Sequence, residues 1–125
     1  MTIEYRKWIT RAMLRAEPDK LFVFGDNMQR YGLGGQAKEM RGEPNAVGIP
    51  TKHAPHMGAG AFFHSNDFDR WYVASHPDFV RIENHVINGG VVVWPEDGIG
   101  TGRARLAQGA PNILNKIKSF EGMIT

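Results

Sequence analysis

The sequence predicts an α/β domain in which a mostly parallel sheet carries helices on both faces. Two observations predict it. Short unbroken apolar runs at Leu21–Phe24 and Val91–Trp94 have the composition of strands covered on both sides. Segments with helical composition separate and follow them, and that alternation is the pattern of parallel strands joined by crossovers. With 125 residues and 42% hydrophobic content, residues 1–125 suit one domain around one core.

Taken in order, Thr10 can cap a helix through Ala12, Met13, Leu14 and Ala16, which stops before Pro18 because a residue preceding proline avoids helical angles. The strand Leu21–Phe24 breaks at Gly25-Asp26-Asn27. After a first glycine loop, residues 36–41 are good helix formers ending at Gly42. Asn45–Pro50 reads as a second, shorter strand whose ladder the proline limits. Residues 52–76 read as a long loop with room for one helical turn, and long loops in small domains tend to be functional. Pro77 suits a first helical position after Ser75, with Phe79, Val80, Ile82, Val86 and Ile87 as an apolar face that ends at Asn88-Gly89. Val91–Trp94 is the clearest strand. A second glycine loop follows, and a last helix spans Pro111 to Phe120.

Composition narrows the chemistry. There is no cysteine, so disulfides, thiolate metal sites and a thiol nucleophile are excluded. The balance of 15 basic and 13 acidic residues gives a net charge of +2, too even to mark a nucleic-acid protein by itself. No apolar run approaches the length of a membrane span, and residues 1–7 lack the apolar stretch of a signal peptide, so the expectation is a cytoplasmic protein without membrane contact.

Glycine is the outlier. Of the 15 glycines, Gly32, Gly34 and Gly35 cluster in one loop and Gly98, Gly100 and Gly102 in another. Each loop follows a strand and precedes a helical segment, where free amide hydrogens and a helix amino terminus can converge on an anion. Ligands of open parallel sheets bind beyond the carboxyl ends of the strands. The two loops therefore predict a shared cradle for a phosphate-bearing ligand, although either one alone also reads as a tight turn.

Phe24-Gly25-Asp26-Asn27, Gly32-Leu33-Gly34-Gly35-Gln36-Ala37, Ile49-Pro50-Thr51-Lys52 and Gly98-Ile99-Gly100-Thr101-Gly102 together resemble the macrodomain superfamily. They are most similar to the branch containing the DarG antitoxin macrodomains and the terminal ADP-ribose glycohydrolases. The resemblance covers about half of the chain and leaves residues 53–88 aside. It implies a small three-layer macrodomain-like fold and ADP-ribose or a related nucleotide as ligand. It further implies hydrolysis of ADP-ribosyl linkages on nucleic acid or protein, with no cofactor. The family's reactive lysine falls on Lys52, which reads alternatively as a surface cation or a phosphate contact; an amine acts as a nucleophile only if burial or a neighbouring cation lowers its pKa.

The branch pairs that lysine with an aspartate just after the late Gly-x-Gly, whereas Gly100 is followed here by Thr101, Gly102, Arg103 and Ala104. Asp26 and Asp97 are the available substitutes, each as a general base or a ribose ligand, or else as a turn residue that bonds its own backbone. The catalytic candidates are thus Lys52, Asp26 and Asp97. The binding candidates are Gly25, Asn27, Gly32, Gly34, Gly35, Gln36, Thr51, Gly98, Ile99, Gly100, Thr101, Gly102 and Arg103. A non-catalytic module that sequesters a nucleotide or binds a protein is the alternative, favoured by the missing acid.

Three further signals are weaker. Phe62, Phe63, Trp71 and Tyr72 could stack on a base or fill the core. His53, His56 and His64 have ligand-like proximity but no supporting cysteine or settled helix, so no metal site is predicted. Lys38, Arg41, Lys52, His53, Arg103 and Arg105 could gather on the rim of the cleft or form a solvated surface.

Overall fold

The computed structural model describes residues 2–125; Met1, which the reading of a single domain over 1–125 includes, lies outside the described residues. Four strands, β1 (Ile3–Arg6), β2 (Leu21–Asn27), β3 (Ala46–Lys52) and β4 (Val92–Pro95), form one sheet in the order β1-β4-β2-β3. Every pairing in it is parallel. The helices are α1 (Arg11–Ala16), α2 (Ala37–Met40), α3 (Phe68–Ile87), α4 (Leu106–Gly109) and α5 (Pro111–Ile124).

The three layers follow from the two-residue period of the strands. In β2, Leu21 and Val23 join the core packed under α3 and α5, together with Val47, Ile49, Val92 and Trp94. Their alternates Phe22, Phe24 and Val93 face the other way, onto Ile9, Leu14 of α1, and Ala37 and Met40 of α2. Both faces of the sheet are therefore covered, as its apolar runs predict.

The structure corrects several boundaries. The predicted order omits β1, whose four residues Ile-Glu-Tyr-Arg are half polar; they become a strand by pairing with β4, from Ile3 beside Val92 to Arg6 beside Pro95. It also omits the single turn α4. β2 continues through Gly25-Asp26-Asn27, and β3 continues past Pro50 to Lys52. Pro50 is tolerated because β3 is an edge strand. The carbonyls of Ala46, Gly48 and Pro50 accept hydrogen bonds from Arg81, Arg30 and the Trp71 indole at 3.0, 2.9 and 2.7 Å, which blunts that edge against pairing with another chain.

The predicted loop over 52–76 is much shorter. It holds two 3-10 turns, Ala59–Ala61 and Ser65–Asp67, and α3 already begins at Phe68. Pro77 lies inside this 20-residue helix and not at its first position. Its missing N–H leaves the Val73 carbonyl without a helical partner, and Val73 faces water, so solvent can take that carbonyl. The aromatic anchors outweigh the proline: Trp71, Phe79 and Ile82 are buried along one side of α3. The last helix runs to Ile124, beyond the expected Phe120. No helix among the described residues is long and apolar enough to cross a membrane.

Candidate functional site

Because all four strands run the same way, their carboxyl ends meet along one edge of the sheet. A cavity of about 440 Å³ opens there, lined from the ends of β1 (Lys7), β2 (Gly25, Asp26, Asn27), β3 (Thr51, Lys52) and β4 (Pro95, Asp97). Both glycine loops form its walls, through Gly32, Gly34, Gly35 and Gln36 on one side and Gly98, Ile99, Gly100, Gly102 and Arg103 on the other. The two loops, separated in the sequence by the segment between Gly35 and Gly98, are thus brought together. Of the predicted site residues, Thr101 alone does not line the cavity; its hydroxyl turns back to the Asp97 carbonyl at 2.6 Å.

Local geometry shapes this hollow. Gly25 is the exposed position in an otherwise buried β2, and a Cβ placed on it would only touch Thr51 and Ile99 at 3.6–3.9 Å. Its hydrogen leaves the floor open. Gly100 has a φ of +82°, and a Cβ there would lie 2.4 Å from Leu106, so the second loop needs glycine to pass over α4. At the end of β3 the register slips by one residue: Asp26 pairs with Pro50 but Asn27 with Lys52. Such a bulge re-aims side chains, and here the consecutive Thr51 and Lys52 both reach the cavity, where a regular strand would send them to opposite faces.

Lys52 is 9% exposed. Its Nζ donates to the His56 carbonyl at 2.6 Å and lies 3.4 Å from the Met57 sulfur. It also sits 5.1 Å from the centre of the Phe62 ring, against which Arg105 stacks at 5.2 Å. Burial, with the nearby charges of Arg103 and Arg105, holds the Lys52 pKa below its ordinary 10.5. These are the two influences that make a lysine amine available as a nucleophile.

The two carboxylates differ. Asp26 is buried and held bidentately by Arg41, at 2.5 and 3.2 Å, and its Oδ1 accepts from the Asn27 amide at 2.8 Å. These bonds leave it an anchor in place of a free base. Asp97 is exposed at the mouth and has no ion-pair partner among the described residues. Asn27 is likewise committed, since its Nδ2 donates to the Tyr31 carbonyl and its Oδ1 accepts from the Gln29 amide. It braces the turn at the start of the first glycine loop.

The secondary candidates scatter. Phe63 and Trp71 are core residues, Tyr72 lies on the outer side of α3, and only Phe62 stands next to the site, beneath Lys52. His53 lies 3.2 Å from Asp67, His56 accepts from the Gly58 amide, and His64 caps the second 3-10 turn. Among the described residues no group of three or more metal-binding side chains comes together. Arg41 and Arg103 line the cavity, whereas Lys38, His53 and Arg105 do not. Sequence reasoning missed Lys7, Tyr31, Pro55 and Met57. Lys7 was legible only through the unrecognised β1, and Pro55 only through its packing on Gly32.

The helix termini contribute less than the sequence implies. α2 and α4 are single turns of four residues, too short for the aligned dipoles of a long helix. The positive charge at this site therefore comes from side chains, with Lys7, Lys52 and Arg103 among the residues that line the cavity.

Compared with known protein families, residues 4–120 match the model described as "Family of unknown function (DUF7831)". The chain belongs to this family. No curated protein and no solved structure matches it. The match spans every strand except the first residue of β1, Ile3, and takes in every residue that lines the cavity, so the site lies wholly inside the DUF7831 domain.

Proposed function

We propose that the cavity binds ADP-ribose or a related phosphate-bearing nucleotide, with its glycine loops around the diphosphate and Lys52 at the distal ribose. The observation that carries this reading is the convergence of both glycine loops and a buried, pKa-lowered amine on one hollow beyond the strand ends. Its volume is in the range of small-molecule sites, and the macrodomain-like motifs point to the same ligand. In the catalytic form of the proposal, the Lys52 amine attacks the anomeric carbon of an ADP-ribosyl group on nucleic acid or protein. Asp97, as general base, takes the proton that the attacking amine releases and passes it to the leaving group as the anomeric bond breaks; water then adds to the anomeric carbon, its proton returning to the nitrogen, which frees the sugar and restores the amine.

Calorimetry against ADP-ribose, NAD and plain nucleotides tests the binding step. Heat with ADP-ribose, lost in Gly25→Ala, is the expected result, because the added methyl occupies the floor of the cavity without a clash elsewhere. No heat and no thermal shift with any of these ligands would leave a protein-interaction module as the better reading.

The commitment of Asp26 to Arg41, with no acid at positions 101–104, favours a second reading: a module that sequesters the nucleotide without cleaving it. ADP-ribosylated DNA and protein that stay intact, with Lys52→Ala changing affinity alone, would select it.

A further inference from the structure

We infer that Arg41 is a positioning residue that buckles the first glycine loop into its ligand-accepting shape, an inference that rests on the cavity being the binding site.

One guanidinium ties together three segments. Its Nη1 and Nη2 hold both oxygens of Asp26 at the end of β2, and its Nε donates to the Gly32 carbonyl at 2.8 Å. Its Cζ stacks 5.6 Å from the centre of the Phe24 ring. Arg41 itself caps the carboxyl end of α2, so the buckle joins the far end of the loop to its beginning.

The seat for this pair is prepared on both sides. A Cβ on Gly48 would lie 2.6 Å from Asp26 Oδ2, so glycine at 48 is what admits the buried carboxylate beside β3. Gly32 has a φ of +100°, and a Cβ there would lie 2.9 Å from Pro55, so the carbonyl that Arg41 holds belongs to the residue on which the Lys52 loop rests. The buckle therefore sets the distance between the glycine loop and the loop that covers Lys52.

The same bonds take Arg41 out of the anion-binding set. Its charge is matched by the Asp26 carboxylate, and three of its donors are spent inside the protein. Its role is to aim the loop amides, with phosphate contact left to others. A lysine cannot replace it, because one ammonium cannot span a carboxylate and a carbonyl with a planar fork.

The test compares wild type with Arg41→Lys in the full chain, by amide hydrogen exchange and by calorimetry with ADP-ribose. The expected result is faster exchange confined to residues 28–36, with α3 and α5 still protected, as local opening of one loop requires. Affinity for ADP-ribose should fall about tenfold or more, the loss of a charge-assisted bond in the site's support. Unchanged exchange over 28–36, or loosening shared equally by α3 and α5, would overturn the inference, since a merely structural ion pair gives one or the other. If wild type itself gives no heat with ADP-ribose, the ligand reading fails, and the exchange comparison still decides the role of Arg41. Should Arg41→Lys fail to fold, Asp26→Asn probes the same buckle from its other end, with the same two outcomes.

Discussion

At the scale of single residues, chemistry at this site depends on which charges are spent and which are free. Asp26 and Arg41 neutralise one another, whereas Lys52, Arg103 and Arg105 form no ion pair among the described residues and press on each other. That unrelieved repulsion adds to burial in lowering the Lys52 pKa. The unfolded chain, with Lys52 near 10.5, then holds this proton more tightly than the folded one. Stability from this group accordingly improves as pH rises through the window between the folded and unfolded values. The same shift is readable as reactivity. Peptide-by-peptide mapping of reductive alkylation by a small aldehyde should give a half-reaction pH for Lys52 below 10.5. Replacing Arg103→Gln and Arg105→Gln together should move it upward. A midpoint that ignores both arginines would show that their charges do not reach the amine.

At the scale of elements, α3 shows where sequence patterning was outweighed. Reading Pro77 as a helix start follows from its fixed φ and absent N–H, but about two and a half turns of α3 precede it. The helix persists because Trp71 is wholly buried and its indole bonds the Pro50 carbonyl, while Ser75 returns a hydrogen bond to the Trp71 carbonyl at 2.7 Å. These tertiary contacts have no local signature. Pro77 is exposed, so Pro77→Ala should restore the missing helical bond without disturbing the core and stabilise the protein by about 1–3 kcal/mol. Denaturant melts with an unchanged m-value would register this as a higher midpoint; a lower midpoint would mean that the ring contributes packing not apparent from its exposure. The glycine loops were legible for the opposite reason. Positive φ at Gly32, Gly98 and Gly100 is a local backbone demand, and glycine is its local answer. What the sequence did not carry was the bulge at Thr51, which arises from pairing between β2 and β3, and with it the orientation of Lys52.

At the scale of the whole molecule, the short β1 is held to the rest by charge as well as by its ladder to β4. Arg6 at its end makes a two-pronged contact with Glu17 at 2.6 and 2.7 Å, and Lys20 reaches Glu17 at 3.0 Å and Glu4 at 3.1 Å. This cluster joins β1, the carboxyl end of α1 and the approach to β2, and so it fixes the segment from which Lys7 enters the cavity. The hydrogen bonds from Arg6 and Lys20 pull Glu17 from 4.5 down to about 2, and Lys20 with Arg6 lowers Glu4 as well. A carboxylate with a depressed folded pKa stabilises the fold fully above its unfolded value, and that stabilisation disappears as pH falls through the folded one. Acid should therefore weaken the attachment of β1 progressively between pH 4.5 and about 2. Glu17→Gln should lower stability at neutral pH and flatten this part of the pH profile. Its curve should converge with that of wild type below about pH 2, where both carry a neutral side chain at position 17. Equilibrium urea unfolding at a series of pH values measures both effects. Parallel wild-type and Glu17→Gln curves across that range would mean that solvent screens the cluster and that β1 is held by its pairing with β4 alone.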